Sequence, residues 1–110
     1  MLRRLRDFIS RPKLGGEILV EIYSKPDCHL CEIAKQRLES LRREWHFELR
    51  EINITKDAKM MEEFGTRIPL IWVEGKLVCK YRVEERKLRQ KLEEAAETKR
   101  SNIPQREKIS

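Results

Sequence analysis

Cys28 and Cys31 are separated by His29 and Leu30, a C-x-x-C spacing that sets two thiols one turn apart on a helix starting at the first of them. Two sulfurs so placed can close a disulfide, and a thiolate at the first can open a disulfide elsewhere. The start of a helix offers unpaired backbone N–H groups and the positive end of its dipole, both of which favour thiolate over thiol. Such settings lower a cysteine pKa from about 8.5 to between roughly 3.5 and 7.5. Lys25 adds positive charge nearby and Asp27 opposes it, a balance the sequence leaves open. Ile68-Pro69 is the second feature: proline tolerates the start of a strand, where its missing N–H does least harm. An X-Pro bond can be cis for only about 0.5–1 kcal/mol.

Elements must position these groups. Ile18 to Tyr23 is a short, nearly continuous apolar run rich in β-branched residues, and it predicts a central strand covered on both faces. Ser24 to Asp27 is a turn. Leu30, Ile33, Ala34, Leu38 and Leu41 then share one face of a helix ending near Arg43. Phe47, Leu49, Ile52 and Ile54 mark a second strand, whose alternation breaks near Glu51 at a bulge or a strand end. Asp57 caps a second helix that runs through Met60, Met61 and Phe64 to Gly65. Leu70 to Val73 and Lys76 to Tyr81 flank Glu74-Gly75 and form a hairpin. A last helix from about Val83 to Glu97 buries Leu88, Leu92, Ala95 and Ala96. The order β-α-β-α-β-β-α predicts an α/β domain over residues 17–97. Its first half is a right-handed parallel βαβ unit, and the hairpin completes a four-stranded mixed sheet with helices on both faces. A C-x-x-C at the first strand–helix junction of such a unit is a redox motif.

A strand, Y-S-K-P-D-C-H-L-C, a helix, and then R-I-P before a hairpin resemble the glutaredoxin-like proteins of the thioredoxin superfamily. The resemblance spans roughly residues 17–97 and implies the thioredoxin fold. It implies thiol–disulfide oxidoreductase activity, with Cys28 as nucleophile and Cys31 as resolving cysteine. It implies a cis Pro69 facing Cys28, and an Ile68 backbone able to pair with a bound peptide or glutathione. Lys25 matches the lysine that contacts a glutathione carboxylate in glutaredoxins. His29, Leu30 and Arg67 complete the expected substrate-binding set. No tightly bound cofactor is expected beyond glutathione as a co-substrate, and the expected partners are a disulfide-containing protein or glutathione. Ile22 lies where thioredoxins carry a buried acid, so the chain resembles a glutaredoxin more than a thioredoxin. Two features depart from the glutaredoxin pattern. His29-Leu30 replaces Pro-Tyr, and Lys80-Tyr81-Arg82-Val83-Glu84-Glu85 lacks the Gly-Gly-acid run that holds the γ-glutamyl end of glutathione.

Other chemistry is weighed against this. A zinc site needs two more ligands, and only Cys79, His29 and His46 are available, at no familiar spacing. An iron–sulfur cluster shared between two subunits, and a non-catalytic adaptor on the same fold, are the rival readings; no metal site is expected. Cys79 alternates with Leu77 and Tyr81 and is read as buried and inert. His29 either tunes Cys28 or is a solvated loop residue, whereas His46 beside Trp45 is read as structural. Trp72, Met60, Met61 and Phe64 are read as core.

The net charge of +6 raises nucleic-acid binding until it is located. Arg3, Arg4, Arg6, Arg11 and Lys13 meet only Asp7 in residues 1–16, and Lys99, Arg100, Arg106 and Lys108 meet only Glu107 in residues 98–110. The body between them is nearly balanced, which argues against a nucleic-acid face on the domain. Residues 1–16 read as a basic extension, with Leu2, Leu5, Phe8 and Ile9 at helical spacing before Pro12, Gly15 and Gly16. Residues 98–110 read as a loose basic tail. No run of about 18 apolar residues predicts a transmembrane helix, and no signal peptide is visible. Three cysteines do not make an even-numbered secreted scaffold. A cytoplasmic monomer is expected, with an organelle as the alternative if the Arg-rich start is a transit segment.

Overall fold

The computed structural model describes residues 17–109, so the helical expectation for residues 1–16 lies outside the described residues. The strands are β1 (Ile18–Ser24), β2 (Phe47–Asn53), β3 (Leu70–Val73) and β4 (Lys76–Lys80). The helices are α1 (His29–Leu41), α2 (Ala58–Phe64) and α3 (Glu85–Ile109), and a 3-10 turn at Ile54–Lys56 precedes α2. The sheet order is β2-β1-β3-β4. β1 pairs parallel with β2, and the β1–β3 and β3–β4 pairs are antiparallel. This is the mixed four-stranded sheet of the thioredoxin fold.

β1 alternates strictly, with Ile18, Val20, Ile22 and Ser24 buried and Leu19, Glu21 and Tyr23 half-buried. Because successive side chains point to opposite faces, the strand serves two unequal cores. Val20 and Ile22 stand opposite Val73 and Ile71 and join Ala34, Leu38 and Leu41 of α1 and Leu88 and Leu92 of α3 in the main core. The other face holds a smaller cluster around Cys31, Ile54 and Ile68, with Tyr23, Met60, Met61 and Phe64 packed against it. The Tyr23 ring lies 5.0 Å from Trp72 and 5.2 Å from Phe64, so these aromatics are half-buried supports rather than deep core.

Local chemistry accounts for the boundaries. The Asp57 carboxylate accepts from the backbone N–H of Lys59 (2.8 Å) and Met60 (3.4 Å), which caps α2. At its other end a Cβ on Gly65 would sit 2.5 Å from the Met61 carbonyl oxygen, so only glycine fits there. Glu74 and Gly75 take φ of 51° and 82°, the left-handed pair that a two-residue hairpin turn requires.

The expectations need correction at five places. The broken alternation at Glu51 is not a bulge. β2 pairs with β1 in continuous register, and Glu51, opposite Ile22, turns its carboxylate to Ser24 and Lys35. The register shift lies instead between β3 and β4 at Ile71/Trp72. It lets the neighbours Val78 and Cys79 both be buried while Leu77 and Tyr81 are exposed, against the common face expected from alternation. On α1, Leu30 and Ile33 are 49% and 39% exposed although they continue the apolar stripe, because the core reaches only Cys31, Ala34, Leu38 and Leu41. His46 is exposed, and Trp45 alone packs against the core. Finally α3 does not stop at Glu97 but runs to Ile109. The residues beyond Glu97 include good helix formers, the Thr98 hydroxyl donates to the Glu94 carbonyl, and Lys99 pairs with Glu74 at 3.2 Å.

Candidate functional site

The site lies at one end of the sheet, where β1 stops, β3 starts and β4 stops: Tyr23 is opposite Leu70, and Leu70 opposite Lys80. Cys28 and Cys31 are joined by a disulfide, with Cα atoms 5.2 Å apart. Cys28 is the N-cap of α1, and its sulfur accepts from the Cys31 N–H at 3.2 Å while its carbonyl accepts from the Glu32 N–H at 3.1 Å. The helix thus delivers one of its orphan donors to the sulfur itself. The two sulfurs are not equivalent: Cys28 is half-exposed, whereas Cys31 is 1% exposed and packed with Ile54 and Ile68.

The Ile68–Pro69 bond is cis, and both residues are buried. Ile68 shares the small cluster with both cysteines, so the chain before β3 lies against the disulfide. The Pro69 carbonyl accepts from the Tyr81 N–H at 2.8 Å, which ties in the end of β4. Lys25 is half-buried in the β1–α1 turn, His29 and Leu30 are exposed on the first turn of α1, and Arg67 is exposed before Ile68. The residues that the sequence marked for the site thus lie on the β1–α1 turn, the first turn of α1 and the segment that enters β3. Among the described residues His29 makes no side-chain hydrogen bond and is exposed.

Two features were not read from the sequence. The first is a polar cluster behind the β1–α1 turn. Ser24 is 1% exposed and donates through its hydroxyl to Glu51 Oε2 at 2.9 Å. Lys35 Nζ donates to the same oxygen at 3.0 Å and also pairs with Glu32 at 3.0 Å. Burial works to raise the Glu51 pKa, but the hydrogen bonds from Lys35 and Ser24, with the lysine charge, outweigh it and hold the carboxyl below its ordinary value. A small hydroxyl residue directly after the apolar run of β1 was the available signal. The second is a groove of about 480 Å³ that starts at Leu30 and runs between α1 and the Tyr81–Glu84 loop. Its signal was the absence of glycine in that loop.

Cys79 is 1% exposed, and burial pushes its thiol up, so it stays a protonated core residue. Burial, with the charges of Glu21 and Glu63, likewise raises the Tyr23 phenol, which remains neutral beneath the site. Among the described residues no group of three or more His, Cys, Asp or Glu is placed to hold a metal ion, and no helix is long and apolar enough to cross a membrane.

No curated protein matches the chain. Among solved structures, a Nitrosomonas europaea protein determined by NMR is 27% identical, with a TM-score of 0.63 over 69% of this chain and 92% of its own. A protein from X. campestris is 25% identical, with a TM-score of 0.56 over 67% of this chain and 95% of its own. Fasciola hepatica thioredoxin, at 19% identity and a TM-score of 0.54, covers 86% of this chain and 93% of its own, a likeness of fold. Residues 19–93 match the model of the glutaredoxin-like domain (DUF836), a stretch that takes in both cysteines, the cis proline and the hairpin, and by that match the chain belongs to the glutaredoxin-like family of the thioredoxin superfamily.

Proposed function

We propose that the protein is a thiol–disulfide oxidoreductase that reduces a disulfide of a protein or of glutathione through Cys28 and Cys31. The observation that supports this most is the inequality of the two sulfurs: one half-exposed at a helix N-cap, the other buried one turn behind it. On this reading the half-exposed sulfur attacks and the buried one resolves.

In the reduced protein the Cys28 thiolate attacks one sulfur of the substrate disulfide. The substrate S–S bond breaks, a Cys28–substrate bond forms, and the second substrate sulfur leaves as a thiolate that takes up a proton. The Cys31 thiol then gives up its proton and attacks Cys28 Sγ. The mixed disulfide opens, the substrate sulfur held by Cys28 departs as a thiolate that takes up a proton, and the Cys28–Cys31 bond of the present structure closes. Two electrons pass from the dithiol to the substrate, and a donor dithiol or two glutathione thiols restore the protein. The N–H at 3.2 Å stabilises the Cys28 sulfur as the attacking thiolate. Lys25 offers a charge to a substrate carboxylate, and the Ile68 backbone beside the disulfide offers a pairing edge for an extended segment.

Titrating the full chain in glutathione buffers, read by alkylation and intact mass, tests the reading. Loss of two alkylatable thiols in one step, with Cys79 untouched, is the expected result. A midpoint near about −200 to −230 mV supports glutathione coupling, and one near about −270 mV a thioredoxin-type donor. A protein whose Cys28 and Cys31 respond to neither is not an oxidoreductase of this kind.

A further inference from the structure

The apolar stripe of α1 continues past the core into solvent at the end that carries the disulfide. Leu30, Ile33 and Tyr81 are three of the four large hydrophobics exposed among the described residues, and all three line the groove between α1 and the Tyr81–Glu84 loop, which begins at Leu30 in the turn of α1 that Cys28 caps. Isolated exposed apolar side chains need no explanation, but three converging on one concave surface mark a contact site. Tyr81 is also held in an unusual state. It has φ of 69°, a region that a bulky residue enters only under constraint, and its N–H is fixed to the Pro69 carbonyl. That conformation ends β4 and leaves the residue 48% exposed on the groove wall.

The charges on the groove are unequal. Arg37 on one wall pairs with Glu85 at 3.5 Å, and Glu84 on the other pairs with Lys87 at 3.8 Å. Arg82 lines the same groove and has no ion pair among the described residues. Outside the groove, Lys25, Arg67 and Lys80 likewise have no ion pair among the described residues, and Asp27 is the acid of the β1–α1 turn. The groove therefore has apolar walls at Leu30, Ile33 and Tyr81, and Arg82 is its cation without an ion pair among the described residues.

We infer that this groove binds the chain flanking a substrate disulfide, and that the substrate is a protein whose flanking segment carries a large apolar side chain next to one or more carboxylates. The apolar side chain sits between Ile33 and Tyr81, and a carboxylate comes within reach of Arg82. Free glutathione supplies carboxylates but no large apolar side chain, so it leaves the groove's apolar walls unfilled. The inference rests on the dithiol-exchange reading and narrows its substrate class.

Single-turnover reduction by the full-length reduced protein separates the two. The substrates are hydroxyethyl disulfide and three peptides, each with one intramolecular disulfide and identical except for a flank of Leu-Glu-Asp, Leu-Lys-Lys or Ser-Glu-Asp. Dithiol is consumed as peptide disulfide becomes peptide dithiol, read by alkylation and mass. The Leu-Glu-Asp peptide is expected to react about tenfold faster than the Leu-Lys-Lys peptide at low salt, with the advantage shrinking in concentrated salt. Arg82→Gln should bring that ratio toward one, and Arg82→Glu should invert it. Ile33→Ser should narrow the difference between the Leu and Ser flanks. Equal rates for acidic and basic flanks, or a ratio indifferent to Arg82→Glu, overturns the inference while reduction of hydroxyethyl disulfide leaves the dithiol reading standing. Failure to reduce even hydroxyethyl disulfide overturns both.

Discussion

The two faces of the sheet are built to different standards. On one, α1 and α3 close over Val20, Ile22, Ile71 and Val73 with Leu38, Leu88 and Leu92 at 0% exposure. On the other, seven-residue α2 leaves Met60, Met61, Phe64, Tyr23 and Trp72 half-buried around Cys31, Ile54 and Ile68. The reactive pair belongs to the second. Cooperative stability is supplied where no chemistry occurs, and the cysteines sit on the thinner side, where opening and closing a disulfide disturbs few close-packed neighbours.

The largest expected effect breaks chemistry and leaves the thick side alone. Cys28→Ser should abolish disulfide exchange, and Cys31→Ser should trap a substrate adduct on Cys28 detectable by mass. Near-wild-type turnover in Cys28→Ser would remove the site from the thin face altogether. Next comes packing: Leu38→Ala should cost about 2–5 kcal/mol in urea unfolding. Phe64→Ala, across the sheet and half-buried, should cost about 1–2 kcal/mol. A Phe64 variant that loses more than the Leu38 variant reverses the ranking of the two faces. Asp57→Ala removes two hydrogen bonds from the first turn of α2 and should cost about 1 kcal/mol, with hydrogen exchange in α2 accelerated before that in α1.

The smallest effect is a pH dependence. Burial opposes ionisation of Glu51, but Lys35 and Ser24 hold its carboxyl below the ordinary value of 4.5, so the folded state binds this proton less readily than the unfolded chain. The stability it contributes is present above that ordinary value and is lost as pH falls through the folded one. The side chain is half exposed, so the contribution is modest. Urea midpoints between about pH 6 and pH 3 should fall less steeply in Glu51→Gln than in wild type. Parallel curves would assign Glu51 no part in acid sensitivity.

Features governed by neighbours in sequence were legible: the order of elements, the Asp57 cap, the Glu74-Gly75 turn and the cysteines at the first strand–helix junction. Each is a local matter of periodicity or of an orphan N–H. What escaped depends on what lies opposite in space. Leu30 and Ile33 obey the helical period of Ala34 and Leu38, and nothing in that period says that no element covers the first turn of α1. The alternation of Leu77, Cys79 and Tyr81 carries no sign that β4 pairs with a one-residue shift. Glu51 broke the apolar pattern visibly, yet its reason was a buried hydroxyl twenty-seven positions earlier in the chain.

The shift between β3 and β4 has a consequence for how molecules of this protein meet one another. β4 is a sheet edge, and an unpaired edge is a template onto which another chain can add a strand. The irregularity at Ile71/Trp72 interrupts the flat run of donors and acceptors that such addition needs, and Lys76 and Lys80 place a like charge at each end of the strand. The opposite edge, β2, carries Glu48, Arg50 and Glu51 along its length. Both margins of the sheet thereby carry features that oppose strand-by-strand self-assembly, whatever the open apolar groove along α1 takes up.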